Sequence, residues 1–182
     1  GAVGHANKNG FEHLGHEVYV HDTKYNTSIK DVLETDICFL CLPTPASADG
    51  SCDTSIIDEV ISELTIQSYN GVIAIRSTVV PGFTQHTIDK LNNQNIAFVP
   101  EFLRERCATA DFIQDHNLLA VGSVSSTVYN AVVESHGYLP KNVIRLSPTE
   151  AELLKYFNNV YAALRVVFAN NFFEIATKLN CD

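Results

Sequence analysis

Asp36-Ile-Cys-Phe-Leu-Cys-Leu42 is followed, after a loop, by the helical-period stretch Ser55–Gln67 and then by Gly71-Val-Ile-Ala-Ile-Arg76. Two short apolar runs rich in Val, Ile and Phe, with a helix between them, read as a β-α-β unit. The intervening helix is long enough to return the chain for a second strand parallel to the first. Working outward, similar runs occur at Glu17–Asp22, Ile96–Val99, Asn117–Gly122 and Asn142–Leu146. Segments of helical period lie at about Val3–Leu14, Ser28–Leu33, Pro81–Asn92 and Ser125–Ser135. The pattern predicts an α/β domain over residues 1–146, built on a doubly wound parallel sheet.

The remainder has a different rhythm. From Ser147 to about Leu179 there is no glycine and no proline after Pro148, and apolar residues recur at three- and four-residue spacing. This reads as one long α-helix, which with the chain end forms a second region over 147–182. Ser147-Pro148-Thr149-Glu150 supplies its start: Ser as N-cap, Pro at the first helical position, and Glu placed to bond back to the cap. Some thirty residues span roughly 45 Å, longer than one face of a small sheet requires. Apolar side chains such as Leu153, Phe157, Val160, Leu164, Phe168 and Phe172 surround the helix, so a second domain or a second subunit is expected to cover it.

Bulk composition narrows the partners. The chain has 182 residues, 46% hydrophobic and 18% charged, with a formal charge of -9. An acidic body is a poor match for nucleic acid or an anionic membrane surface. No apolar run approaches the roughly 20 residues that span a bilayer, and the first residues show no secretory pattern. Five cysteines, an odd number without framework spacing, suit free thiols in a reducing compartment. The expectation is a cytoplasmic protein. Cys38 and Cys41 have CxxC spacing but sit inside an apolar strand with no second pair, so no metal site is expected.

Several segments can carry chemistry. Gly1-Ala-Val-Gly4 opens a helix, and Asp22 ends the next apolar run. In a dinucleotide fingerprint the glycines let backbone approach a pyrophosphate at the helix N-terminus, and the acid accepts ribose hydroxyls. The first strand and first glycine of that fingerprint are expected before Gly1. Asp22, rather than a basic residue, favours NAD over NADP. The loop Pro43–Asp53 and the segment Ser77-Thr78-Val-Val-Pro81-Gly82 follow strands, at the edge where open α/β sheets bind ligands. Thr78 alone also reads as an ordinary turn residue. Pro100-Glu101-Phe-Leu-Arg104-Glu105 follows another strand; if it is helical, Glu101 and Glu105 share a face, either for one substrate or simply as a solvated helix start. Lys155 and Asn159 have the same spacing on the long helix. Lys155 is open to two readings, a desolvated base or oxyanion-binding group and a snorkelling side chain.

Taken together, in one order and at suitable spacings, these segments resemble the UDP-glucose/GDP-mannose dehydrogenase family. The resemblance covers essentially the whole chain and rests most on Pro100-Glu-Phe-Leu-Arg-Glu105 and on Glu152-Leu-Leu-Lys155 with Asn159. It implies a Rossmann-like fold and oxidation of the C6 alcohol of a nucleotide sugar, UDP-glucose favoured, to a carboxylate with two NAD⁺ in succession. It implies that Gly1, Val3, Gly4 and Asp22 hold NAD, and that Pro43, Thr44 and Pro45 line the nicotinamide side. Thr78 would position a water or hydroxyl, with Glu105 at the edge of the cofactor site. Glu101 would lie by the sugar and attacking water, Phe102, Leu103, Arg104 and Glu105 along the substrate cleft, and Lys155 with Asn159 against the C6 oxyanion. The family's nucleophilic cysteine is expected downstream of the long helix, so that residues 1–182 alone are expected not to complete turnover. A homodimer through that helix is also expected. Two departures stand out: only Thr23–Thr35 joins Asp22 to the next strand, where the family commonly has a longer stretch, and Arg106 stands where a glycine is usual. The competing readings are a GDP-mannose 6-dehydrogenase, a hydroxyisobutyrate-type dehydrogenase, and a non-catalytic NAD-binding or dimerisation module.

Overall fold

The computed structural model describes residues 1–181, and Asp182, the end of the expected 147–182 region, lies outside them. The chain runs α1 (Ala2–His13), β1 (Ile37–Leu40), α2 (Ser55–Ile66), β2 (Val72–Ile75), α3 (Phe83–Leu91), β3 (Ile96–Phe98), α4 (Ala108–Ile113), β4 (Leu119–Gly122), α5 (Ser126–His136), β5 (Val143–Leu146) and α6 (Pro148–Lys178). Five strands form one sheet in the order β1-β2-β3-β4-β5. The β1/β2, β2/β3 and β4/β5 pairs are parallel. The sheet is Rossmann-like, as the β-α-β pattern predicts.

Period-two alternation in β2 explains how the sheet is covered. Ile73 and Ile75 enter a core with Ile57, Ile61 and Leu64 of α2, Ile88 of α3 and Ala151 of α6. Val72 and Ala74 face the other way, into a core with Val121 and with Val128 and Val132 of α5. Burying each of these aliphatic side chains stabilises the fold by roughly 1.5–3 kcal/mol before chain entropy is counted. A third cluster joins Ala6 and Phe11 of α1 to Phe112 of α4.

Four expectations are corrected. Glu17–Asp22 forms no strand, because no described strand runs beside it and alternation without a hydrogen-bonded neighbour makes no ladder. Ser28–Leu33 forms only a 3-10 turn, Ile29–Val32, closed by a capping box between Ser28 and Asp31. The sheet is not wholly parallel: β3 meets β4 antiparallel at Phe98 and Gly122, after the unforeseen helix α4 has reversed the chain between them. Lastly, Glu101–Arg104 is irregular and Glu105–Cys107 a 3-10 turn, so Glu101 and Glu105 do not share a helix face.

The long helix matches its prediction closely. Ser147 and Glu150 form the capping box, with Pro148 in the first turn and 31 residues in the helix; such a cap is worth about 1 kcal/mol. Its first turns are buried through Pro148, Ala151, Glu152 and Lys155, while Phe157, Val160, Leu164, Phe168, Phe172 and Phe173 are all exposed.

Candidate active site

Because β1, β2 and β3 are parallel, the segments that leave their carboxyl ends emerge at one edge of the sheet. Ser77 ties two of them together. Its Oγ donates to the Leu40 carbonyl at 3.2 Å and accepts from the Leu42 N–H at 2.7 Å, which fixes the strand end leading to Pro43, Thr44 and Pro45 beside Thr78. Thr78 is half-buried, and its carbonyl accepts a 3.6 Å bond from the Cys52 thiol.

Lys155 reaches the third segment from α6. Its Nζ donates to Glu101 Oε1 at 2.8 Å and to the Glu101 carbonyl at 2.5 Å. The lysine side chain is only 6% exposed and that of Glu101 14%. The other Glu101 oxygen accepts from the Leu103 N–H at 2.7 Å, and the ammonium lies 5.7 Å from the Phe102 ring centroid. This burial excludes a snorkelling lysine. An ammonium has three donors, so two bonds to Glu101 leave one proton free for a ligand.

The remaining predicted residues are placed as follows. Asn159, one turn beyond Lys155, is exposed. Arg104 is exposed but held by a fork to Asp111, with Nη2 to Oδ1 at 2.6 Å and Nε to Oδ2 at 3.1 Å, while the Arg104 N–H also donates to Oδ2 at 2.7 Å. These hydrogen bonds hold the Asp111 carboxyl well below the usual carboxylate range. Glu105 is exposed. Thr78, Glu105 and Asn159 make no side-chain hydrogen bond to Lys155 or Glu101 among the described residues. Gly1, Val3 and Gly4 begin α1, where Gly4 approaches Cys41 just past β1. Asp22 is half-buried, and its Oδ1 accepts from the Lys24 N–H at 2.9 Å.

The α1 terminus fits a dinucleotide phosphate. It has no capping side chain and no acid in its first turn, and the space where Gly1 would carry a Cβ is open. Unpaired N–H groups and the positive end of the helix dipole are what a pyrophosphate requires. Cys38 and Cys41 are free; burial pushes their thiols up to about 12 and 11, so neither is a ready thiolate.

Sequence reasoning missed three supports of this edge. Asp111 is the partner of Arg104. Glu152 is a fully buried carboxylate bonded to the start of α3. Arg76, at the end of β2, is buried against the rings of Phe39 and Phe112, and its Nη2 donates to His136 Nε2 at 2.5 Å. Burial lowers the Arg76 guanidinium to about 10. His136 Nδ1 lies 2.7 Å from the Val132 carbonyl and so carries the ring proton, leaving Nε2 as acceptor. A basic residue closing an apolar strand was the available signal.

A doubly wound sheet with an open helix N-terminus and a Lys–Glu pair at its carboxyl edge defines a nucleotide-dependent dehydrogenase scaffold. Residues 1–136 match the NAD-binding domain of the UDP-glucose/GDP-mannose dehydrogenase family, and the chain belongs to that family. It is 29% identical over 167 residues to a GDP-mannose 6-dehydrogenase of Pseudomonas aeruginosa, covering 84% of this chain and 38% of the relative. It is likewise 29% identical over 175 residues to a UDP-glucose 6-dehydrogenase of Haloferax volcanii, covering 86% and 40%. The fold matches a UDP-glucose dehydrogenase structure from Pyrobaculum islandicum with a TM-score of 0.86 at 23% identity, over 100% of this chain and 52% of that one. The chain thus spans well under half the length of these two curated relatives.

Proposed function

We propose that the whole protein oxidises the C6 alcohol of a nucleotide sugar, UDP-glucose favoured, to the carboxylate in two NAD-linked steps. The observation that carries this reading is the buried Lys155 ammonium seated on Glu101 at the carboxyl edge of the sheet. Bound NAD⁺ supplies the hydride acceptor. Gly1, Val3 and Gly4 would hold its pyrophosphate, Asp22 its ribose hydroxyls, and Pro43, Thr44 and Pro45 its nicotinamide side, with Glu105 at the cofactor edge.

Lys155 would use its free N–H to stabilise negative charge on the C6 oxygen, with Asn159 as second donor. A pre-placed charge in a dry site needs little reorganisation. Glu101 keeps the lysine oriented and would orient the attacking water, while Thr78 would hold a water or hydroxyl. Phe102, Leu103, Arg104 and Glu105 would line the sugar cleft, the Asp111 fork keeping that segment in shape. The exposed apolar face of α6 supports assembly into a homodimer. Among the described residues no helix is long and apolar enough to cross a membrane, and the free thiols suit the cytoplasm. GDP-mannose is the second reading, because a GDP-mannose enzyme is as similar as a UDP-glucose enzyme.

The test is NADH formation by the whole protein. Two NADH per UDP-glucose are expected, and Lys155→Ala should lower turnover by roughly 10²–10³-fold. Turnover of GDP-mannose alone would move the assignment to the second reading. A hydroxyacid as the one substrate oxidised, or NAD binding without any turnover, would overturn the reaction.

A further inference from the structure

Glu152 is a buried carboxylate to which the proposed chemistry gives no part. It is fully buried in the second turn of α6, where Oε2 accepts from the Gly82 N–H at 2.6 Å and Oε1 from the Thr84 N–H at 2.8 Å. These donors begin α3. A helix start is usually closed by its own N-cap side chain; here the N-cap is Gly82, at φ +96, and it has none. The cap therefore comes from another helix, some seventy residues along the chain. A carboxylate suits two N–H donors at the positive end of α3.

The same turn of α6 is held on two other sides. A Cβ at Gly122 would lie 2.7 Å from Ala151 Cβ and 2.9 Å from Pro148 Cα, so α6 rests directly on the end of β4. Three residues beyond Glu152, on the same side of the helix, Lys155 meets Glu101 after β3. Thr78 lies in the segment that Gly82 closes, with Val79 between them fully buried.

We infer that Glu152 is a positioning residue: its bonds to Gly82 and Thr84 set the height and rotation of α6, so that Lys155 lies on Glu101. The effect on turnover rests on the proposed role of Lys155; the effect on its geometry does not. Glu152→Gln keeps the size but offers one acceptor where two donors point.

The experiment pairs two readouts with a melting curve. In the wild type the Lys155 ammonium, bonded twice to Glu101, should give a slowly exchanging side-chain nitrogen-15 NMR signal. Glu152→Gln should lose that signal while still melting cooperatively. In the whole protein it should lower kcat by about 10²-fold with both KM values kept within about twofold. A folded Glu152→Gln protein with the signal and kcat unchanged overturns the proposal. If the wild type oxidises no nucleotide sugar, the proposed function fails by itself, and the NMR signal alone decides this inference. If Glu152→Gln does not fold, Thr84→Pro, which deletes one donor in the first turn of α3, takes its place with the same expected losses. Failure of both to fold overturns the proposal, since the cap would then serve stability alone.

Discussion

The two ends of α6 are built alike and live differently. Up to Lys155 the helix is buried along one face, capped, wedged on Gly122 and bonded through Glu152 and Lys155 to segments after two other strands. From Phe157 onward the same helix carries Phe168, Phe172 and Phe173 exposed, the last at 73%. Both ends are rich in apolar residues, so burial here is decided by what lies alongside rather than by hydrophobicity. In the first turns a few polar atoms with fixed partners set the geometry. In the rest, area awaits a covering surface.

Acid gives the largest effect expected on the buried side of this contrast, in the core around Arg76 and Phe112 rather than in α6 itself. Burial, then the positive charge of Arg76, lowers His116 to about 4 and His136 well below its ordinary value. Unfolded histidines bind a proton near 6.5. Their share of stability is therefore complete above that pH and is lost as pH falls through 6.5 toward 4, at up to about 1.4 kcal/mol per pH unit for each. Urea midpoints against pH measure this, and His116→Gln should flatten the slope. A flat profile in the parent protein would mean that neither ring is held neutral by the core.

Gly122→Leu comes next. Its side chain would enter the Ala151–Pro148 contact, costing about 1–3 kcal/mol. The midpoint of chemical unfolding reads that cost, and an unchanged midpoint would show the base of α6 to be loosely seated. The smallest effect on the chain itself is expected at the exposed end. Phe168→Glu with Phe172→Glu should shift monomer stability by less than about 0.5 kcal/mol each, yet abolish the proposed self-association in sedimentation. A large loss of monomer stability would erase the contrast.

Much of this was legible beforehand, for physical reasons. The five strands and the main helices announce themselves by local periodicity, and the α6 start by the Ser147–Glu150 spacing. What escaped depends on partners distant in sequence. Glu17–Asp22 has the composition of a strand and no described neighbour to pair with. The antiparallel junction at Phe98 and Gly122 follows from a chain reversal through α4, whose six residues are too few to show a period. At the site, Lys155 and Glu101 were picked out separately, but 54 residues separate them, and only folding shows that they touch. Glu152 and Arg76 act through such remote bonds as well.

The length of α6 turns its base into a lever. Its last 23 residues after Lys155 extend about 35 Å beyond the anchored turns. A tilt of about 10° at Glu152 would carry the far end sideways by about 6 Å, slightly more than the pitch of one helical turn. The accuracy with which two oxygens of one carboxylate meet two amides is therefore magnified along the rod, and it sets where the exposed aromatic end is presented in space.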